Sequence, residues 1–234
     1  MNAENGRFFV KAIRNRPGGR RDSLVREGLI NAFVRSVTPD LLWEAEDDEW
    51  FVLGFEYAEA RHADFSPGSS DLPVVVDLLD RVTDLRTPEI AREWPETRWD
   101  RFAPFEERAL FAGEDLLHTD IHPNNFLLGD DGCWLVDWAW PTTGAGFIDS
   151  ALLVVQLIAT DHTPASAESW ASRCRAWQKA VPAAVDAFAS ANLRMLRASA
   201  ERSPEATWRK AMADAAQAWT DHRGLTVEPL TFGA

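Results

Sequence analysis

Cysteine is scarce in this chain: Cys133 and Cys174 are the only two. That is too few for a disulfide framework or a cysteine-based zinc site. Positive charge is also in short supply. Lysine and arginine number 24 against 37 aspartates and glutamates, a formal net charge of −13. A protein that grips a nucleic-acid backbone needs clustered cations, so the chain as a whole is not expected to bind nucleic acid. Phosphorylated small molecules stay open, because a few local cations or bound metal ions suffice for those. Long apolar runs are absent as well. The longest, Ala151 to Ala159, is interrupted by Gln156 and is too short to span a bilayer, so no membrane partner is expected. The first residues, MNAENGRFFV, lack a basic start followed by an apolar core, and no secretory leader is expected. No internal repeat at solenoid spacing is present. What remains is a cytoplasmic globular protein of 234 residues with 46% hydrophobic and 26% charged positions. That mix affords a core, and that length suits one domain or two small lobes.

Strand-like runs concentrate near the N-terminus. Phe8 to Ile13 is one; Leu41–Glu46 and Trp50–Phe55 are two more, separated by the acidic turn Asp47-Asp48-Glu49 as in a hairpin. Between them, Asp22 or Ser23 is a candidate cap for a helix carrying Ile30, Phe33, Val34 and Val37 at helical spacing, with Pro39 as its stop. A helix is predicted from Leu72 to about Arg86. Residues 87–113 show no clear periodicity after Trp94. Two short strands, around Asn125–Leu128 and Cys133–Val136, are joined by Gly129-Asp130-Asp131-Gly132. From Phe147 onward the pattern is helical, with Pro164, Pro182 and Pro204 placed for helix first turns. This is an α+β pattern in two lobes, with the junction around residues 56–60.

The stretch that carries chemistry is LLHTDIHPNNFLLGDDGCWLVDWAWP, Leu116 to Pro141. It contains His118-x-Asp120, then Asn125 five residues after the aspartate, then an apolar strand ending in Asp137. Phosphoryl transfer explains such a grouping. One carboxylate accepts the proton of an attacking hydroxyl, while a second carboxylate and an amide oxygen hold Mg²⁺ against nucleotide phosphates.

The spacing resembles the Asp-x-x-x-x-Asn catalytic loop and metal-binding aspartate of the protein-kinase-like superfamily. It is most similar to the aminoglycoside phosphotransferase-like family. That family's His-Gly-Asp-Leu-His-Pro-Gly-Asn signature stands here as His118-Thr119-Asp120-Ile121-His122-Pro123-Asn124-Asn125. Asp137-Trp138 matches its metal-site pair, and Asp149 its further aspartate. The resemblance extends over nearly the whole chain. Lys11 stands where the family has its phosphate-contacting lysine, Glu27 where it has that lysine's partner, and Phe55-Glu56-Tyr57 where a strand enters the adenine hinge. Only ten residues, with the single glycine Gly6, precede Lys11. The resemblance therefore implies a protein-kinase-like fold whose small β-rich N-lobe, residues 1–57, is shortened by its first hairpin. A mostly helical C-lobe, residues 58–234, follows. It also implies transfer of the γ-phosphoryl of ATP or GTP to a hydroxyl of a small molecule, aminoglycoside-like or related. Asp120 would be the catalytic base, Asn125 and Asp137 the Mg²⁺ ligands, and Lys11, Glu27 and residues 55–57 the nucleotide site. His118, His122 and Asp149 would support the loop.

Two other readings compete. One is a kinase-like shell acting as a binding module without turnover. The other is a metal-dependent hydrolase built on His118, Asp120 and His122, since imidazole and carboxylate are common ligands. The 11 tryptophans are read mainly as core or interface anchors, with Trp138 and Trp140 as candidates for lining the acceptor pocket. The acidic surplus is read first as a solvated surface; attraction of a cationic acceptor such as an aminosugar is the alternative.

Overall fold

The computed structural model describes residues 2–3 and 6–228. The chain opens on an antiparallel sheet in the order β1-β2-β4-β3: β1 (Asn2–Ala3), β2 (Gly6–Arg14), β3 (Leu41–Glu46) and β4 (Trp50–Glu56). The expected absence of a first hairpin falls partly on residues outside those described. Of the described ones, Asn2 and Ala3 pair antiparallel with β2. The acidic turn between β3 and β4 is closed by Asp47, whose carboxylate accepts the N–H groups of Glu49 and Trp50, each at 2.7 Å. This is the local bonding that makes aspartate a turn residue.

The β2–β4 register aligns Phe9 with Phe55, Lys11 with Leu53 and Ile13 with Phe51. Side chains alternate across a strand, so Lys11 shares a face with a small apolar cluster of Phe51, Leu53, Phe55 and Leu24. That face is covered by α1 (Gly19–Val34), which supplies Leu24 and Glu27. The helix starts earlier than Asp22 or Ser23, because the N–H groups of Arg21 and Asp22 already donate to the Gly18 carbonyl. It also ends before Pro39. The link to β3 is fixed instead by buried Asn31, which donates to the Pro39 carbonyl at 2.9 Å and accepts the Leu41 N–H at 2.7 Å.

The rest of the chain builds around a much larger core, which α1 joins through Ile30 and Val34. A two-residue strand β5 (Arg61–His62) leads to α2 (Leu72–Thr83), whose buried Leu72, Val75, Leu78, Leu79 and Val82 follow the helical period. Short 3-10 turns occupy much of residues 89–110. Then come β6 (Asp115–Leu117), β7 (Phe126–Gly129), β8 (Gly132–Leu135) and β9 (Thr142–Gly144). They form one sheet in the order β5-β7-β8 and one β6–β9 pair. Helices α3 (Phe147–Ala159), α4 (Pro164–Ala171), α5 (Arg175–Lys179), α6 (Pro182–Arg202) and α7 (Thr207–His222) complete the chain. Pro164 and Pro182 do open helices, where a missing N–H costs nothing. Pro204 does not: it sits in the turn between α6 and α7. α3 is apolar nearly all round, with nine buried side chains, as a helix central to the packing must be.

Two glycines test this packing with opposite signs. A Cβ at Gly113 would run into the backbone carbonyl of Gly144 on β9. Gly113→Ala is expected to lower stability by about 1–3 kcal/mol, the usual cost of overpacking. A Cβ at Gly28, inside α1, would meet Leu53 at an ordinary 3.4 Å. Gly28→Ala is expected to raise stability by about 0.5–1 kcal/mol, the helix-propensity gain. Urea denaturation of both variants checks the pair.

Candidate active site

Lys11 brings the two ends of the sequence motif set together. From β2 its Nζ donates to both carboxylate oxygens of Glu27 on α1, at 2.6 and 2.8 Å, and to Asp137 Oδ1 beyond β8, at 2.6 Å. Glu27 is buried, which pushes its carboxyl above the ordinary range, while Lys11 pulls it back down. Lys11, Glu27, Asn125 and Asp137 line one cavity of about 350 Å³ together with Phe55, Glu56 and Tyr57. The expected nucleotide and metal residues therefore share a single cleft.

The loop after β6 is shaped by buried hydrogen bonds. Asp149, in the first turn of α3, accepts the N–H groups of His118 and Thr119, each at 2.8 Å. The His118 ring is likewise used up: Nδ1 accepts the Asp120 N–H at 3.2 Å, and Nε2 lies 2.9 Å from the Val136 carbonyl. A backbone N–H only donates and a carbonyl only accepts, so the proton is on Nε2 and the ring is neutral. Burial pushes its pKa down to about 4. Burial has the opposite effect on Asp149, raised to about 6. Both are as expected for charge carried out of water. Thr119 and Asp137 adopt φ of 64° and 67°, the left-handed region that non-glycine residues rarely occupy. Such conformations cluster where the surrounding structure imposes a geometry.

Asp120 differs from its neighbours in keeping its carboxylate largely exposed, at 61%. His122 lies 3.6 Å away. That imidazole holds the Asp120 carboxyl below the ordinary range, against burial, and is itself raised in turn. Asn125 donates from Nδ2 to the Asp120 carbonyl at 2.8 Å. The amide is thereby oriented, and its Oδ1 has no donor among the described residues. An amide oxygen and a carboxylate form the all-oxygen set that suits Mg²⁺ and suits a thiophilic metal poorly. The His118-Asp120-His122 metal cluster is not assembled, since both His118 nitrogens are engaged in the loop. Among the described residues no group of three or more His, Cys, Asp or Glu side chains gathers as a metal site.

A groove of about 670 Å³ lies on the other side of this loop, lined by Asp120, Asn124, Gln156, Asn192, Met195 and Trp208 among others. Neither candidate tryptophan lines it. Trp138 is buried with its indole N–H on the Leu135 carbonyl, and faces the Lys11 cleft. Trp140 stacks under the Arg26 guanidinium at 5.2 Å. Beyond the loop itself the groove's walls come largely from α3, α6 and α7, at positions that no sequence motif marks.

No protein-family model matches the chain, and no curated protein matches its sequence. Solved structures do match. Choline kinase LicA from Streptococcus pneumoniae aligns with a TM-score of 0.59 at 14% identity, over 92% of this chain and 86% of that one. An aminoglycoside phosphotransferase from Alicyclobacillus acidocaldarius gives 0.57 at 14%, over 94% and 86%. The fold is protein-kinase-like. Aminoglycoside phosphotransferase APH(4)-Ia shares this kinase-like fold, with a TM-score of 0.52 at 12% identity over 93% of each chain. A thermostable mutant of that enzyme was solved in a ternary complex with AMP-PNP and hygromycin B; it covers 89% of this chain and 85% of its own, at 12% identity and a TM-score of 0.52. The likeness is one of fold, and it is the fold that the motif implied. Among the described residues no helix is long and apolar enough to cross a membrane.

The opposed shifts of His118 and Asp149 have a measurable signature. His118 is depressed, so its contribution is present above pH 6.5 and lost on acidification toward pH 4, by about 3 kcal/mol. Asp149 is raised, so its contribution is present near pH 4 and lost as pH climbs toward 6, again by about 3 kcal/mol. In the wild type the two nearly cancel. Measured by urea denaturation relative to wild type, His118→Gln is expected to gain stability between pH 6 and 4, and Asp149→Asn to lose it. Parallel slopes for all three proteins would show that neither group is perturbed.

Proposed function

We propose that the protein is a small-molecule kinase that moves the γ-phosphoryl group of ATP or GTP to an alcohol. One observation carries this reading: the 118–125 loop separates two cavities, with Lys11, Asn125 and Asp137 facing one and Asp120 the other. A phosphoryl donor and a hydroxyl acceptor would meet across that loop. In this reading residues 1–57 and the edge of the helical lobe, residues 58–234, enclose the nucleotide. Phe55, Glu56 and Tyr57 border the base, and Lys11, steadied by Glu27, neutralises phosphate charge. Bound at Asn125 and Asp137, Mg²⁺ would offset charge on the transferred group.

Asp120, ionised near neutral pH as a carboxylate is, orients the acceptor hydroxyl and takes its proton as the bond to phosphorus forms; its lowered pKa makes it a weak base, so orientation is the larger part of that task. The acceptor oxygen forms a bond to the γ-phosphorus, the bridging bond to the β-phosphate breaks, and the nucleoside diphosphate leaves with that electron pair. His118, His122 and Asp149 hold the loop in place. The fold shared with a choline kinase and aminoglycoside phosphotransferases supports the same reaction class. A nucleotide-dependent reaction also suits the cytoplasm.

Calorimetric titration with ATP and GTP, with and without Mg²⁺, tests the donor site. Mg²⁺-dependent binding is expected, and Asp137→Ala is expected to abolish it. With an acceptor in hand, Asp120→Asn is expected to lower kcat by about 10²–10⁴-fold with nucleotide affinity unchanged. Failure to bind either nucleotide would favour the non-catalytic binding module.

A further inference from the structure

The acceptor groove is not built for a cation. Among the described residues lining it, Asp120 is the sole acid. A neighbouring cavity of about 750 Å³ shares Arg98, Met195, Leu196 and Trp208 as walls, and adds Arg101, Arg108 and Arg202 against the single acid Asp100. Arg101, Arg108 and Arg202 form no ion pair among the described residues. This arginine cluster stands out in a chain of net charge −13, and local charge of one sign concentrates ligands of the other.

Asn192 on α6 supplies an independent sign. It is 1% exposed and lines the groove. Its Oδ1 accepts the Trp99 indole N–H at 3.1 Å. An indole nitrogen only donates, so the amide cannot be flipped, and Nδ2 is the free end. That buried donor has no acceptor. Buried donors are normally satisfied, and one left open in a cavity wall awaits a partner. Met195, Leu196, Trp208 and Met212 supply an apolar wall to the same groove.

We propose that the acceptor is an amphipathic oxyanion. Its hydroxyl lies at Asp120, its apolar body against Met195, Leu196 and Trp208, and its carboxylate or phosphate at Asn192 and the arginine cluster. This deepens the phosphotransferase reading and rests on it only for the role of Asp120. Polycationic aminosugars, with several ammonium groups facing those arginines, are selected against.

A matched series tests the charge preference: 8-hydroxyoctanoate, octane-1,8-diol and 8-aminooctan-1-ol share a chain with a hydroxyl at one end but carry negative, zero and positive charge at the other. Kanamycin serves as the polycation. Binding is measured by calorimetry, with and without Mg²⁺ and AMP-PNP. The acid is expected to bind about tenfold tighter than the diol, as a charge-assisted hydrogen bond would give, with the amine and kanamycin weakest. Asn192→Asp keeps the oxygen that Trp99 needs but replaces the free donor with an acceptor, and is expected to reverse the order of acid and amine. Arg101→Glu, an exposed change that leaves the interior intact, is expected to weaken the acid alone. Equal binding of acid and diol, a preference for the amine or kanamycin, or no binding of any member would overturn the proposal. If the acid preference holds while AMP-PNP fails to bind, the phosphotransferase reading falls and the groove assignment stands. If AMP-PNP binds and the preference fails, the reverse is true.

Discussion

Lys11 ties the small sheet to the helical body through two carboxylates that would otherwise repel each other. Glu27 is nearly enclosed, at 6% side-chain exposure, whereas Asp137 remains 45% exposed. Stripped of the ammonium, Glu27 would be a buried unpaired charge, a condition that costs about 3–5 kcal/mol. One cation cannot neutralise two carboxylates, and Asp137 is the member that solvent reaches. The sheet register, the placement of α1 and the left-handed turn at Asp137 all converge on this one atom, Nζ. Its position decides where further positive charge would be welcome.

Charge is distributed unevenly around the 118–125 loop. The Lys11 side holds two acids and one base in contact. The other side has an exposed aspartate in the groove and arginines around the neighbouring cavity. A molecule with a hydroxyl at one end and an anion at the other would lie along that gradient in one orientation. The protein's net acidity, read over the whole sequence, gives no hint of this. Bulk charge governs solubility and long-range approach, whereas recognition depends on which few charges line the concave surface.

The motif residues around the 118–125 loop were legible from sequence because local spacing fixes them. Asp120 and Asn125 are five residues apart on one loop, and Asp137 ends the next hairpin. Lys11 and Glu27 lie on adjacent elements, but only the family resemblance pointed to their pairing. Direct contact of Lys11 with Asp137 was not legible, since it depends on how the sheet sits over the loop. The groove beyond Asp120 was invisible for the same reason on a larger scale. Asn192, Met195 and Trp208 are ordinary helix residues until α3, α6 and α7 pack, and Arg98, Arg101 and Arg108 fall in a stretch without periodicity. The same eleven residues also hold Asp100, Glu106 and Glu107, so no local excess of positive charge marked them. Helix starts misled where a backbone carbonyl, at Gly18, did the work expected of a capping side chain.

Thr119 occupies the position where the resembling signature has glycine, and its φ of 64° shows why glycine is suited to it. A β-branched residue has no local reason to adopt that conformation. It is held there from a distance, by the Asp149 carboxylate on its N–H and by its own hydroxyl on the His118 carbonyl at 2.6 Å. The consequence concerns folding order. Without the first turn of α3 in place, residues 118 and 119 lose the two backbone bonds to Asp149, so the loop's shape depends on the packing of the helical core. Chemistry and cooperativity are thereby joined: the segment that would handle the reacting hydroxyl shares its hydrogen bonds with the body of the protein.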